Sequence, residues 1–259
     1  MDDEVEVVVA HSERVTLRVG DVYLKVDADR ARVDVEVEAM SLAPVPTPEV
    51  LWHKWPVLAL AALRGATLGR LGGSSTGTAA AWMAAGAAIR QLHEAPLPSW
   101  TGRAGRSVVT LAEELDRECQ LLVAEGLLPA ELVARNRQVA EAALRKWAPS
   151  FTHGDLQIAH VFLDGDEVTG IIDWSEAGQG DALYDLATFS LGHGEHLDDL
   201  LAGYGGVVDL EVVRAWWALR SLLAVRWLSE HGFDPFAPGC EVDVLKSLVC
   251  GPAGSASGG

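Results

Sequence analysis

The sequence predicts an α+β protein, with short antiparallel β-strands in the N-terminal part and helices in the larger C-terminal part. Residues 4–26 alternate between apolar and polar side chains with a period of two, which is typical of half-buried strands. From residue 78 onward, long segments place apolar residues at i, i+3 and i+4 spacing, which indicates amphipathic helices. Between these helices, the apolar runs 161–163 and 168–172 flank an Asp-Gly pair, which predicts a further β-hairpin.

Each N-terminal element has its own signal. Strands are predicted at residues 4–7, 15–19, 22–26, 50–53 and 56–60. Gly20-Asp21 is a suitable two-residue loop for a hairpin between the second and third strands. The periodicity of residues 31–42 does not distinguish a strand from a helix. The prolines at 44, 46 and 48 end any helix there, because proline lacks an N–H donor and restricts the preceding residue.

The C-terminal part is predicted to be mainly helical. Helices are expected at residues 78–93, 111–128, 130–147 and 211–228, with another starting at Ala182. Leu128-Pro129 is predicted to join the second and third of these as an antiparallel pair. The helix 211–228 contains Trp216 and Trp217 and is too apolar to be exposed on all sides, so it is expected to be buried. Residues 251–259 form a Gly- and Ser-rich segment that is predicted to be disordered.

Composition narrows the classes of function. The 259 residues are enough for one large domain or two coupled lobes, and 49% of them are hydrophobic and 22% charged, as in soluble globular proteins. No apolar run reaches the ~18 residues of a membrane helix, and the acidic start is unlike a secretory signal, so a cytoplasmic protein is expected. The net charge of −17 disfavours binding to nucleic acid or to an anionic membrane and favours cationic ligands. Cys119, Cys240 and Cys250 are scattered, which predicts reduced thiols rather than disulfides or a zinc site.

Two aspartates flank the hairpin predicted in the C-terminal part. Asp155 lies in the loop before its first strand, and Asp173 follows its second strand. A tight hairpin brings such residues into one site, together with the nearby His153. Phosphoryl transfer needs a group to accept the hydroxyl proton and carboxylates to hold a metal ion, so this pattern points to that chemistry. The alternative is that both are turn aspartates that accept hydrogen bonds from backbone N–H groups.

Four sequence blocks occur in the order typical of a known family. His153-Gly-Asp155, His160, Ile172-Asp-Trp174 and Gly180–Ala187 together resemble the aminoglycoside phosphotransferases, which are small-molecule kinases with a protein-kinase-like fold. The resemblance implies a two-lobed protein: an N-lobe (1–60) with an antiparallel sheet and one helix, and a mostly helical C-lobe (61–250). It implies that Asp155 is the catalytic base and Asp173 a magnesium ligand, while His153 and Asp185 have structural roles.

The resemblance also implies a set of nucleotide-binding residues. Lys25 would contact the α- and β-phosphates of ATP or GTP, and residues 31–42 would form a helix that supplies a glutamate to Lys25. Glu38 is the best-placed glutamate, with Glu36 as the fallback. Ser12, in the turn between the first two strands, would donate a hydrogen bond to a phosphate.

The resemblance places the adenine at the junction of the lobes. The Ala61 carbonyl and the Leu63 amide would bind the adenine.

The chain departs from the family at one metal position. The family usually has asparagine where this chain has His160, and Mg²⁺ prefers oxygen ligands to imidazole. Four roles therefore stay open for His160: binding the metal through water, binding a phosphate, ligating Mn²⁺, or bracing the loop.

The acceptor implied by the resemblance is a small-molecule antibiotic, expected to be cationic, whose phosphorylation confers resistance. Glu176, Glu195, Asp198 and Asp199 are candidates for binding its amino groups, and a solvated helix face is the alternative for this acidic segment. Two other functions stay open. One is a kinase of a cellular metabolite such as an amino alcohol or a sugar, and the other is a nucleotide-binding pseudokinase.

Overall fold

This computed structural model describes residues 4–10, 13–70 and 73–249. Its N-terminal part is a five-stranded antiparallel sheet. Its strands are β1 (Val5–Ala10), β2 (Arg14–Val19), β3 (Val22–Asp27), β4 (Val50–Lys54) and β5 (Val57–Ala61), in the order β1-β2-β3-β5-β4. The loop between β2 and β3 is Gly20-Asp21, since Val19 pairs with Val22 and Gly20 adopts a φ of 57°. This hairpin is confirmed as predicted, and the predicted end of the N-lobe at residue 60 falls within β5.

One helix accompanies this sheet. Helix α1 (Arg30–Leu42) begins at Asp29, whose side chain accepts a hydrogen bond from the Ala31 N–H. It buries Val33, Glu36 and Met40, which share one face of a helix. The choice of a helix for this segment, made from the resemblance, is therefore confirmed.

The larger part of the chain is mainly helical. Its helices are α2 (Ala79–Glu94), α3 (Val108–Ala124), α4 (Ala130–Ala140), α5 (Ala182–Ser190), α6 (Leu197–Tyr204), α7 (Leu210–Glu230) and α8 (Glu241–Val249). Helix α7 packs against α3, α4, α5 and α8, and Trp216 on it is 1% exposed. Its burial is confirmed for most of its length, although Trp227 near its C-terminal end is exposed. The two-lobed α+β fold predicted from the sequence is thus present.

The helix predicted to run to residue 147 ends earlier. A 3₁₀ turn at Glu141–Ala143 follows α4, and Leu144 leaves the helical region with φ −80° and ψ 61°. The next element is a strand that begins at Pro149. A residue before proline is biased toward extended conformations, so the amphipathic pattern could not continue as a helix into this strand.

Short strands in the larger lobe hold the loops that contain the four sequence blocks of the resemblance. They are β6 (Ala66–Thr67), β7 (Pro149–Thr152), β8 (Val161–Asp164), β9 (Glu167–Ile171) and β10 (Gly178–Asp181). β8 and β9 form the predicted hairpin, with Asp164 paired to Glu167 and Gly165 at a φ of 62°. β7 pairs with β10 in an antiparallel direction. Loop 153–160 therefore starts beside the end of loop 172–177.

Three expectations from the sequence concern the cysteines, residues 251–259 and membrane helices. Cys119 and Cys240 are free thiols, and Cys250 lies outside the described residues. The predicted disordered segment 251–259 also lies outside them. Within the described part of the chain, every helix is too short or too polar to cross a bilayer.

Candidate active site

Lys25 connects the two lobes. It projects from β3, and its Nζ atom lies 2.5 Å from Glu36 Oε1 on α1 and 2.9 Å from Asp173 Oδ1 after β9. Burial lowers the pKa of Lys25, but the charges of Asp173 and Glu36 outweigh this effect and hold it above its ordinary value. Lys25 is therefore a protonated ammonium group whose two partners come from different lobes.

The glutamate that contacts Lys25 is Glu36, so the choice of Glu38 was wrong and the fallback is the residue that makes the contact. Glu36 is buried, whereas Glu38 is exposed. Residues i and i+2 of a helix are separated by about 200° around its axis, so Glu36 and Glu38 cannot face the sheet at the same time. The sequence signal for the correct one was the helical spacing of Glu36 from the apolar residues Val33 and Met40.

Asp185 fixes the start of loop 153–160. From the first turn of α5, its carboxylate accepts hydrogen bonds from the backbone N–H groups of His153 (2.7 Å) and Gly154 (2.9 Å). His93, at the C-terminal end of α2, lies 3.2 Å from the same carboxylate. Asp185 is completely buried, so these donors replace the water that it loses. These contacts stabilise the backbone of the loop; the structural role of Asp185 that the resemblance implies stays a prediction.

His153 is held as one neutral tautomer. Its Nε2–H donates to the Ile172 carbonyl (2.9 Å), and its Nδ1 accepts a hydrogen bond from the Asp155 N–H (3.3 Å). Burial lowers the pKa of His153 below its ordinary value, despite the nearby charge of Asp185. The ring thereby ties the loop containing Asp155 to the segment containing Asp173.

Asp155, His160 and Asp173 form a cluster that can hold a metal ion. One potential ligand atom from each of them lies within 4.8 Å of the others. The His160 Nδ1–H donates to the Asp155 carbonyl at 2.8 Å, which leaves its Nε2 atom facing Asp173 Oδ2 at 3.8 Å. Asp173 has a φ of 66°, and no other non-glycine residue in the described part of the chain has a positive φ. Such a conformation is uncommon for a residue with a side chain, and here it accompanies the carboxylate that meets both Lys25 and His160.

The Asp155 carboxylate has cationic and amide neighbours. Gln157 Nε2 lies 3.1 Å from its Oδ1 and 3.2 Å from its Oδ2, and Arg220 on α7 lies 3.4 Å from Oδ1. Burial raises the pKa of Asp155, but the charges of Arg220, His160 and Arg103 lower it below its ordinary value. Asp155 is therefore ionised at neutral pH and can accept a proton.

The four acidic residues suggested for the acceptor lie in two places. Glu176 lies beside loop 153–160, 3.9 Å from Arg103, and burial raises its pKa. Glu195 and Asp199 instead lie 3.9 Å from His196 on the segment that packs against α2, and Asp198 is on the same segment. Among the described residues, no hydrogen bond or ion pair joins these three to the cluster around Asp155.

The remaining predicted residues fall at the lobe junction or outside the described chain. Ala61 ends β5, and Leu63 follows it where the chain passes into the larger lobe. Ser12 lies outside the described residues. Sequence reasoning missed Arg103, Gln157 and Arg220. For Arg220, an available signal was its position inside the very apolar segment 211–228.

Residues 13–216 match the phosphotransferase enzyme family (APH). The chain belongs to this phosphotransferase family. The family resemblance inferred from the sequence blocks is therefore confirmed.

Individual relatives support this membership. The streptomycin 3''-kinase of Streptomyces griseus is 33% identical over 178 residues, which are 62% of this chain and 65% of the kinase. The match thus spans just under two thirds of that relative's length. Aminoglycoside phosphotransferase APH(3'')-Id from Streptomyces rimosus has a TM-score of 0.62 at 25% identity, covering 86% of this chain and 93% of that one. A choline/ethanolamine kinase family protein from Mesorhizobium loti shares the fold, with a TM-score of 0.67 at 22% identity and coverage of 95% and 88%.

The contact between Lys25 and Glu36 predicts different effects for two nearby glutamates of α1. We expect Glu36→Gln to lower the free energy of unfolding by about 2 kcal/mol, because a buried charged hydrogen bond to Lys25 is weakened. We expect Glu38→Gln, its exposed control, to change it by less than about 0.5 kcal/mol. Urea denaturation at neutral pH measures both values, and equal effects of the two changes would contradict this assignment.

The neutral state of His153 predicts a pH dependence of stability. Because its pKa is lowered in the folded state, the unfolded chain binds more protons below about pH 6.5, so stability decreases as pH falls through that range. We expect His153→Asn to be less stable than the unaltered protein at pH 7.5, but to lose less stability on acidification to pH 5.5. Urea denaturation at both pH values measures this difference. The exposed His231→Asn variant should keep the full pH dependence, and a His153→Asn variant that also keeps it would contradict the prediction.

Proposed function

We propose that this protein transfers the γ-phosphate of ATP or GTP to a hydroxyl group of a small-molecule antibiotic. The observation that carries the proposal is that Lys25 from the sheet and Asp155, His160 and Asp173 from the larger lobe meet in one cluster. Lys25 lies 2.9 Å from Asp173, and potential ligand atoms of the other three lie within 4.8 Å of one another. A phosphate-binding cation, metal-binding groups and a proton acceptor are the parts that phosphoryl transfer requires.

The nucleotide site follows from Lys25 and its surroundings. Lys25, oriented by Glu36, binds the α- and β-phosphates, since a protonated lysine is a point charge suited to phosphate. The backbone of Ala61 and Leu63 binds the adenine, and Ser12 donates to a phosphate. Most of the rate acceleration comes from position and charge, because the transferred group needs little covalent help.

Asp173 and His160 would hold the metal ion, which is Mg²⁺ or Mn²⁺. The donor set fits such an ion, since one carboxylate faces an imidazole whose Nδ1–H is engaged by the Asp155 carbonyl, so that Nε2 can offer a lone pair. Imidazole is a better ligand for Mn²⁺ than for Mg²⁺. The ion would neutralise charge on the phosphates. Asp173 keeps Lys25 and His160 close to that position.

Asp155 is the base that takes the proton of the acceptor hydroxyl as transfer proceeds. Its lowered pKa keeps it ionised, and its hydrogen bonds to Gln157 hold the carboxylate in place. A side chain in this role typically contributes a rate factor of about 10² or more. His153 and Asp185 act through the loop, because they fix its backbone rather than the acceptor.

An aminoglycoside such as streptomycin is the acceptor class that the comparisons support best. The relative with 33% identity is a streptomycin 3''-kinase, and APH(3'')-Id is also similar. The net charge of −17 attracts a cationic acceptor, and Glu176 offers a carboxylate close to Asp155. Phosphorylation adds charge and bulk to the drug and so confers resistance. We propose that this takes place in the cytoplasm.

An amino-alcohol kinase is the second candidate, favoured by the fold similarity to the choline/ethanolamine kinase family protein. Incubation of the protein with ATP or GTP, Mg²⁺ or Mn²⁺ and single acceptors distinguishes the two candidates. The panel includes streptomycin, other aminoglycosides, choline and ethanolamine, and mass spectrometry detects the phosphorylated product. Nucleotide binding without phosphorylation of any acceptor would favour a pseudokinase instead.

The proposed base gives a direct prediction. We expect Asp155→Asn to lower turnover at least about 100-fold, because the amide cannot accept the hydroxyl proton. ADP release with the acceptor found in the panel measures this loss. Asp164→Asn, which changes an exposed aspartate at the end of β8, is the control and should keep normal turnover. Near-normal turnover of the Asp155→Asn variant would remove Asp155 from the mechanism.

The proposed metal ligand gives another prediction. We expect His160→Asn to lower the Mg²⁺ concentration needed for half-maximal activity relative to that for Mn²⁺, since an amide oxygen replaces an imidazole nitrogen. Titration of activity with each metal measures the ratio of the two concentrations. His196→Asn, on the segment beside α2, is the control and should leave this ratio unchanged. An unchanged ratio in the His160→Asn variant would show that His160 does not ligate the metal.

A further inference from the structure

An ion pair from the C-terminal helices reaches loop 153–160, which contains Asp155. Arg220 on α7 places NH2 3.4 Å from Asp155 Oδ1 and NH1 3.3 Å from Glu241 Oε1 at the start of α8. The side chains of Arg220 and Glu241 are 16% and 10% exposed. Both residues lie beyond residue 216, where the match to the phosphotransferase family ends. Arg220 and Glu241 therefore belong to the part of the chain that the family match does not include, whereas Asp155 lies within the match.

The two oxygens of Asp155 are engaged unequally. Oδ1 accepts hydrogen bonds from both Arg220 and Gln157, whereas Oδ2 accepts one from Gln157. A carboxylate oxygen has two lone-pair directions, so Oδ2 keeps greater capacity to accept a further hydrogen bond. The arrangement holds the carboxylate from one side and leaves the other oxygen for the acceptor.

A packing role alone gives no reason for an arginine at position 220. Its neighbours on α7 include the buried apolar residues Trp217, Leu219 and Leu222, and removing a guanidinium from water carries a large desolvation cost. Arg226 on the same helix has a different partner: it binds Glu118 on α3 through two hydrogen bonds of 2.9 Å. Of these two arginines of α7, only Arg220 contacts Asp155.

We propose that Arg220 is a positioning residue for phosphoryl transfer: anchored by Glu241, it holds the Asp155 carboxylate so that Oδ2 can receive the acceptor proton. In that step, the acceptor oxygen forms a bond to the γ-phosphorus, and the bond from this phosphorus to the bridging oxygen breaks. The electron pair leaves on the nucleoside diphosphate, and the hydroxyl proton passes to Oδ2. This inference rests on the proposed function and adds that α8 contributes to the geometry of the base.

Three single variants test this role with ATP and the acceptor that the unaltered protein phosphorylates. We expect Arg220→Ala to lower kcat by about 10- to 100-fold, as for a misplaced catalytic group, while KM for ATP changes by less than about twofold. Arg220→Lys keeps a cation at this position, and we expect it to restore a large part of kcat. Arg226→Ala removes the matched arginine of α7 and should keep kcat within about twofold of normal.

A double variant controls for the possibility that Arg220→Ala loses activity by misfolding. Arg220→Met combined with Glu241→Leu removes both charges together and keeps apolar volume, which proteins tolerate better than one unpaired buried charge. We expect it to fold, as judged by circular dichroism and thermal denaturation, and to show the same loss of kcat as Arg220→Ala.

The outcomes separate this inference from the proposed function. Normal kcat in Arg220→Ala or in the double variant would overturn the inference alone. An equal loss of kcat in Arg226→Ala, or no recovery in Arg220→Lys, would indicate a general structural effect and would also overturn it. Failure of the unaltered protein to phosphorylate any acceptor would overturn the proposed function and this inference with it.

Discussion

The ion pair between Lys25 and Asp173 is the constraint on which the arrangement of the site depends. These residues are 148 positions apart in the chain and belong to different lobes. A partly buried ammonium group needs partners of opposite charge, and Lys25 finds them in Asp173 and Glu36. The requirement to pair this charge therefore aligns the sheet, α1 and the loop after β9 around a single position.

The larger lobe uses the same principle for its own loops. Asp185 accepts hydrogen bonds from two consecutive backbone N–H groups of loop 153–160, and Asp181, at the start of the same helix, pairs with Arg145. Asp155 is balanced by Arg220. Each of these acidic groups loses water on folding and therefore needs a partner. The element that supplies the partner is held in place by this contact. Charge pairing thus determines loop conformations that short strands alone would leave loosely defined.

Local patterns predicted the elements whose structure depends on neighbouring residues. The hairpin loops at Gly20-Asp21 and Gly165-Asp166 follow from glycine at positions of positive φ, and the buried α7 follows from its apolar composition. Where two local signals competed, prediction was wrong: the amphipathic pattern after Ala130 extended past the real end of α4, since the approach to Pro149 required an extended chain.

The sequence by itself determined the family, the two-lobed fold and the aspartates proposed for the chemistry, because these depend on residue identity and order within short blocks. Only the tertiary structure decided which glutamate meets Lys25 and which cation meets Asp155. Glu36 and Glu38 lie on different faces of α1, and Arg220 reaches loop 153–160 through the packing of α7. Such contacts join residues far apart in the chain, so no local pattern of the sequence contains the distance between them.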